Sequence, residues 1–248
     1  MNKRLIHGIH AIDTAVRNDP DNIQIIWADG GRKNARLQQL LKKIKAAKLP
    51  LQFVSTAELT AQVKTDKHQG IVAEYRDAKT YRADYLFDLL DKLQEPAFLL
   101  ILDGVTDPHN LGACLRTAEC AGVHAVIVPK DKAATLTPTA RKVASGAAEI
   151  IPFITVTNLK RTLQDLKKAG VWLIGTSDKA TQSIYKTSLQ GSIAIIMGAE
   201  GKGLRRLTEE ACDFICSIPM AGDVSSLNIS VATGVCLFEA VRQRGGEE

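Results

Sequence analysis

Several things are missing from this 248-residue chain, and each absence removes a class of protein. No run of about 18 apolar residues occurs, so no segment is expected to span a membrane. The N-terminus, MNKRLIHGIHAIDTAV, has a basic start but no apolar stretch of the kind a secretory signal needs, which predicts a cytoplasmic protein. The cysteines (Cys114, Cys120, Cys212, Cys216 and Cys236) are odd in number and scattered through apolar patterns, as buried reduced thiols would be. Cys212 and Cys216 could supply half of a metal site, but no second Cys/His pair stands near them, so no metal is expected. Acidic residues are absent from one whole stretch: GGRKNARLQQLLKKIKAAKLPLQFVSTA, residues 30–57, holds seven basic residues and no Asp or Glu.

That local absence sets the charge of the chain. Residues 1–75 carry 12 Lys+Arg against 7 Asp+Glu, and residues 76–248 carry 20 of each, so the net +5 lies in the first third. A basic helix is ordinarily a solvated face. Complete freedom from acids favours a polyanionic partner, because each Lys or Arg that meets a phosphate releases counterions. With no aromatics interleaved among the basic residues, such contacts are expected to go to backbone and shape rather than to stacked bases.

What is present is an α/β pattern in two parts. In residues 4–75, HAIDTAVRN, NARLQQLLKKIKAAK and TAELTAQV read as helices and NIQIIWA, LPLQFV and GIVAEY as strands, a small unit complete in itself. A linker near 76–83 leads into an amphipathic helix with Leu86, Leu89, Leu90 and Leu93 at helical spacing. From Pro96 on, the strands become continuous apolar runs (FLLILDGV, HAVIVP, IIPFITV, VWLIGTS, SIAIIMGAE, FICSIP) separated by helical patterns, which predicts a parallel sheet covered on both faces. The expected organisation is 1–76 as a small basic domain, 77–95 as linker and first helix, and 96–248 as the larger domain.

Ligands of such sheets bind beyond the carboxyl ends of strands, and three strand ends here are unusual. After FLLILDGVTDP comes HNLGACLRTAECAGV, in which Asn110 is the expected N-cap and Leu111, Cys114, Leu115 and Ala118 form the apolar stripe. Gly112 and Arg116 lie four apart on a neighbouring face. A glycine in the first turn suits a place where something must approach the backbone closely. Arg116 is either a side chain snorkelling off a core helix or a cation held for chemistry.

The second strand end, IIMGAEGKGLRRLT, spaces its glycines as G-x-x-G-x-G, not as the dinucleotide-binding G-x-G-x-x-G, and Lys202 is followed by Gly203 where a P-loop needs Ser or Thr. With Glu200 among the glycines, the turn suits a ligand bearing hydroxyls or cationic groups better than a phosphate. The third, SIPMAGDVSSLNISVATGVCLFEAVRQR, opens a helix that is apolar nearly all round. Such a helix is expected to be buried on every side, in part at a subunit interface. A cap at its start accounts for Ser226 or Asn228 but not for both.

Taken together, N110-L-G-A-C-L-R116, M-G198-A-E200-G-K-G203 and I218-P-M-A-G-D-V-S-S226-L-N228-I-S-V-A resemble, in order and without departure, the motifs of the SpoU/TrmH family of RNA ribose 2'-O-methyltransferases, within the SPOUT class. GIHAIDTAV and HQGIVAEY are similar to that family's ribosomal-protein-like substrate-binding domain, which makes 1–76 the expected RNA substrate-binding domain, and LILDGVTDPHNLGACLRTAECAGVHAVIVPKD is closest to members that methylate a guanosine of large-subunit (23S) ribosomal RNA. The resemblance implies a knotted SPOUT domain acting as a homodimer, with S-adenosylmethionine as cofactor. It implies that Gly198, Ile218 and Leu227 line the cofactor site and that Asn110, Arg116, Glu200, Ser226 and Asn228 form the catalytic cluster. In that cluster Arg116 would act as a cation on developing alkoxide or on the adjacent phosphate. Asn110, Ser226 and Asn228 would orient the ribose, and Glu200 would hold Arg116 or a substrate group. The alternatives are a non-catalytic RNA-binding ribosome-assembly protein on the same scaffold, and a nicotinamide-dependent oxidoreductase, which the glycine order disfavours.

Overall fold

The computed structural model describes residues 3–18, 20–76, 80–224 and 226–245. Residues 77–79 of the expected linker, and Ser225 beside the third motif, lie outside the described residues. The chain divides into two compact units, Met1–Lys79 and Thr80–Glu248.

The first unit runs β1 (Lys3–His7), α1 (Ile9–Asn18), β2 (Ile23–Ala28), α2 (Ala35–Ala46), β3 (Leu51–Phe53), α3 (Thr56–Val63) and β4 (Ile71–Arg76). Its sheet has the order β1-β4-β2-β3, with β4 antiparallel to β1 and β2, and β3 parallel to β2. The sequence reading supplied every one of these elements except β1, whose five residues include Lys3, Arg4 and His7 and so show no apolar alternation. Helix α2 starts where Asn34 accepts hydrogen bonds from the backbone N–H of Arg36 and Leu37, a cap worth about 1 kcal/mol. It buries Leu37, Leu40, Leu41 and Ile44 against β2 and β4. Helix α3 starts with a reciprocal capping box between Ser55 and Glu58.

The second unit runs β5 (Thr80–Tyr81), α4 (Ala83–Leu90), β6 (Phe98–Asp103), α5 (Pro108–Cys120), β7 (Ala125–Pro129), α6 (Pro138–Ala144), α7 (Ala147–Ile150) and β8 (Phe153–Val156). It continues with α8 (Leu159–Lys168), β9 (Trp172–Thr176), β10 (Ile193–Gly198), α9 (Arg206–Glu209), β11 (Phe214–Cys216) and α10 (Ile229–Arg244). Thr80 and Tyr81, read from the sequence as linker, instead pair in parallel with β8. The sheet order is β11-β9-β10-β6-β7-β8-β5, and each neighbouring pair is parallel.

The continuous apolar runs follow from this double covering. Phe98, Leu100 and Leu102 of β6 face one core with α5 and α10, while Leu99 and Ile101 face a second with α4 and α8. Strand β10 lies between β9 and β6 in register, with Gly198 opposite Asp103. The chain therefore turns outward in both directions from the β6–β10 pair, and the carboxyl ends of these two strands bound a crevice.

Candidate active site

At the end of β6 the fully buried carboxylate of Asp103 accepts a hydrogen bond from Arg205 N–H at 3.1 Å, and its other oxygen lies 3.4 Å from the Arg205 guanidinium. The N-cap of α5 is Asp107, which accepts from His109 N–H at 2.9 Å, and Pro108 occupies the first turn. The expectation that Asn110 caps this helix is corrected. With Pro108 supplying the preset φ and no N–H, the helix starts three residues earlier, and the Asn110 amide is free to face the crevice. Gly112 is also explained differently. A Cβ there would lie 2.4 Å from the Ala140 carbonyl and 2.7 Å from Val143, so the close approach is that of α6, not of a ligand.

After β10 the chain folds into a tight loop in which Ala199 N–H donates to Gly203 O at 3.0 Å and Gly203 N–H donates back to Ala199 O at 2.8 Å. Gly201 and Gly203 both have positive φ. A Cβ on Gly198 would stand 2.1 Å from the Gly203 carbonyl carbon, so the glycine spacing is dictated by the turn itself.

The loop aims Glu200 at the start of α10, where its carboxylate accepts from Asn228 Nδ2 at 2.7 Å and from Ile229 N–H at 3.4 Å. Asn228 is the N-cap: its Oδ1 accepts from Ser230 N–H at 2.9 Å and from Ser230 Oγ at 2.6 Å. Its Nδ2 also donates to Asn110 Oδ1 at 3.1 Å. One residue from each motif thus meets in a single hydrogen-bonded cluster. A negative side chain at the first N–H of a long helix is favoured by the helix dipole. The cluster rims a cavity of about 560 Å³ whose walls include Asp103, Asn110, Lys132, Glu200, Arg205 and Ile229.

The other expected residues stand apart from this cluster. Arg116 is exposed and, among the described residues, makes no hydrogen bond or ion pair; Glu200 does not hold it. Ser226 is exposed, and Asn228 alone provides the cap. Ile218 is half-buried against the core beneath α10, and Leu227 is half-buried. Neither these two nor Gly198 lines the cavity. Sequence reasoning passed over Asp103, Lys132 and Arg205; the signal for Asp103 was an acid closing the otherwise wholly apolar run FLLILD.

Two further expectations are modified. Helix α10 is not buried on every side: Thr233, Cys236, Leu237 and Ala240 are covered, while Val231 and Phe238 are about half exposed on another face. The basic stretch of the first unit does contain an aromatic, since Phe53 lies in a groove with Lys42 and Lys45, whereas Lys43 pairs with Asp13 at 2.8 Å.

The buried thiols act as small apolar groups. Burial pushes Cys114 up to about 11, helped by the charge of Glu200 and opposed by its hydrogen bond to Thr233. Among the described residues no group of three or more His, Cys, Asp or Glu side chains is placed to hold a metal, and no helix is long and apolar enough to cross a membrane.

The chain is similar to known proteins along nearly its whole length. The family described as SpoU rRNA Methylase matches residues 97–238, and that described as RNA 2'-O ribose methyltransferase substrate binding matches residues 5–81. A Pseudomonas putida protein named 23S rRNA (guanosine-2'-O-)-methyltransferase RlmB is 54% identical over 239 residues, 96% of each chain. The protein of that name in Pasteurella multocida is 55% identical over 240 residues, 96% of this chain and 98% of the other. Among solved structures, an RNA 2'-O ribose methyltransferase at 28% identity superimposes with a TM-score of 0.59, over 97% of this chain and 88% of the other. The SpoU methyltransferase AviRb of Streptomyces viridochromogenes, solved with AdoMet, has a TM-score of 0.65 over 99% and 92% of the two chains at 24% identity, a likeness of fold.

Proposed function

The chain belongs to the SpoU rRNA methylase family, and from that premise we propose that it methylates the ribose 2'-OH of a guanosine in 23S ribosomal RNA, with S-adenosylmethionine as methyl donor. The observation that carries this reading is the Asn110–Asn228–Glu200 cluster, which joins the three motifs at the crevice beyond β6 and β10. The cavity walls carry Asp103, Asp107 and Glu200 beside Lys132, Lys202 and Arg205, and the carboxylates are the groups a cationic cofactor would meet. Asp103 and Glu200 both face the cavity, and Asp103 Oδ1 is buried with no hydrogen-bond partner apart from its ion-pair contact with Arg205. When bound, S-adenosylmethionine supplies an electrophilic methyl group on sulfur.

The chain's own residues then have to bind and orient the ribose and to stabilise its oxygen. In-line placement of two reactants can supply about 7–11 kcal/mol of barrier lowering, so rigid positioning is the main demand. Glu200 meets it by fixing Asn228, and Asn228 fixes Asn110; Asn110 and Ser226 orient the ribose directly, and Asn228 does so through Asn110. Arg116 carries a guanidinium unclaimed by any described neighbour, available to a developing alkoxide or an adjacent phosphate. Arginine stays charged in proteins, so it serves as a cation rather than as the base. Gly198, Ile218 and Leu227, which the cavity walls do not include, would line the rest of the cofactor site in this reading.

A second copy of the chain covers Val231 and Phe238, making a homodimer. The C-terminal segment threads into a trefoil knot, a reading consistent with the insertion of β10 between β9 and β6. The enzyme acts in the cytoplasm and needs no metal. The test is incubation with labelled S-adenosylmethionine and unmodified 23S ribosomal RNA, followed by mapping of the product. Ribose methylation at a guanosine, undiminished by chelator, is expected. Methylation of a base would overturn the reading, and RNA binding without turnover would favour the ribosome-assembly alternative.

A further inference from the structure

In the first unit a groove of about 460 Å³ opens between α2 and the end of β3, lined by Gly30, Gln38, Leu41, Lys42, Lys45 and Phe53. Phe53 is its unusual member. By strand alternation it shares a face with Leu51, which packs into the core, yet the Phe53 ring is 51% exposed. The turn after β2 packs against the ring: a Cβ on Gly30 would lie 2.9 Å from Phe53 Cδ1. Lys45 Nζ stands 5.6 Å from the ring centroid.

No acid lines the groove, and the acids of the adjoining loops are occupied elsewhere. Asp29 accepts from Gly31 N–H and from the Thr56 hydroxyl, and Glu58 closes the capping box of α3. An exposed aromatic face, two cations and no acid fit a ligand with a flat π-surface joined to an anion. The volume suits a small ligand.

We propose that this groove is a subsite for one unpaired nucleotide of the RNA, its base stacked on Phe53 and its phosphates met by Lys42 and Lys45. The proposal rests on the RNA-substrate reading above and adds to it a demand for single-stranded character. Lys45 leaves the ring without difficulty, because an exposed cation–π contact is weaker than the stacking of a base on an aromatic ring.

The experiment measures binding of the full chain to a fluorescein-labelled single-stranded oligoribonucleotide and to a perfectly paired RNA duplex of equal length. Phe53→Ala is expected to weaken single-strand binding by about 5- to 100-fold and to leave duplex binding within about twofold. Phe53→Trp should restore it, with Trp fluorescence quenched as RNA is added. The slope of log affinity against log salt should stay unchanged in Phe53→Ala and fall by about 0.7 for each of Lys42→Ala and Lys45→Ala. Equal losses on both RNAs, or none on the single strand, would overturn the proposal. Calorimetry with S-adenosylmethionine on the same samples separates the two readings. If the unaltered chain fails to bind the cofactor, the methyl-transfer reading falls, while a single-strand-specific loss still establishes the stacking site.

Discussion

Asn228 uses every hydrogen-bonding position of its side chain: two N–H donors to Asn110 and Glu200, and two acceptances from Ser230. That saturation fixes which end of the amide faces which neighbour. Asn228→Asp, although isosteric, would turn a donor pair into a carboxylate facing the Glu200 carboxylate. It is therefore expected to lower turnover more than Asn228→Ala, which should cost about 0.5–2 kcal/mol of stability through the lost cap. Single-turnover methylation and thermal unfolding of both variants check this. Arg116 gives the opposite pattern, since nothing in the described structure depends on it. Arg116→Ala should leave the melting temperature and cofactor affinity unchanged while turnover falls by about 10²–10³-fold, the size of a lost electrostatic stabiliser. Near-normal turnover at saturating RNA would show it to be a solvated side chain only. Arg116→Lys should recover little, because lysine lacks the planar fork.

Among the elements, α5 and α10 carry the site between them and show two kinds of constraint. Gly112→Ala would gain about 1 kcal/mol in helix propensity, but the added methyl meets α6 backbone at 2.4 Å, and overpacking costs about 1–3 kcal/mol. The clash wins, and a lower melting temperature is expected. Helix α10 is tied to the preceding chain through Glu239, which accepts two 2.8 Å bonds from Arg242 and one from Gln243; Gln243 in turn bonds Thr187 O and Leu189 N. The Arg242 guanidinium, helped by the Gln243 amide, holds the Glu239 carboxyl down at about 2 against an ordinary 4.5. A depressed carboxyl stabilises the folded state fully above its unfolded value, and that share is lost as pH falls from about 4.5 towards 2. Glu239→Gln should therefore flatten the acid limb of the stability curve in that window and lower the melting temperature at pH 7. On the exposed face of α10, Phe238→Glu should shift the sedimentation of the proposed homodimer towards monomer; a dimer unchanged by it would overturn the placing of the interface on this face.

For the whole molecule, the segregation of charge predicts a division of labour. Reversing Lys42 and Lys45 together should weaken RNA binding and flatten its salt dependence while leaving cofactor affinity unchanged. Lys43 belongs to a different class despite its neighbours. It pairs with Asp13, which also holds Arg17 at 2.9 Å, so reversing it disturbs the α1–α2 contact as well as any RNA contact. Calorimetry with S-adenosylmethionine and RNA titrations at two salt concentrations separate these effects.

The parallel sheet was legible in the sequence, because a strand buried on both faces must be apolar along its length, and FLLIL and IAIIM are. The motifs were legible too, since the chemistry lies in side-chain types at fixed spacings. Caps were only partly legible: Asn34, Ser55 and Asn228 stand before apolar periodic runs, whereas Asp107-Pro108 competed with Asn110 for the start of α5. The folded structure decided what no local pattern encodes. Insertion of β10 between β9 and β6 sets Asp103 against Gly198, and the long return of the chain brings Asn228 to within hydrogen-bonding distance of both Asn110 and Glu200, residues 118 and 28 positions away. Exposure was decided there too. Phe53 and Phe238 read as core residues by period, yet each is about half exposed, since a period names a face and only the packing of neighbouring elements decides whether that face is covered.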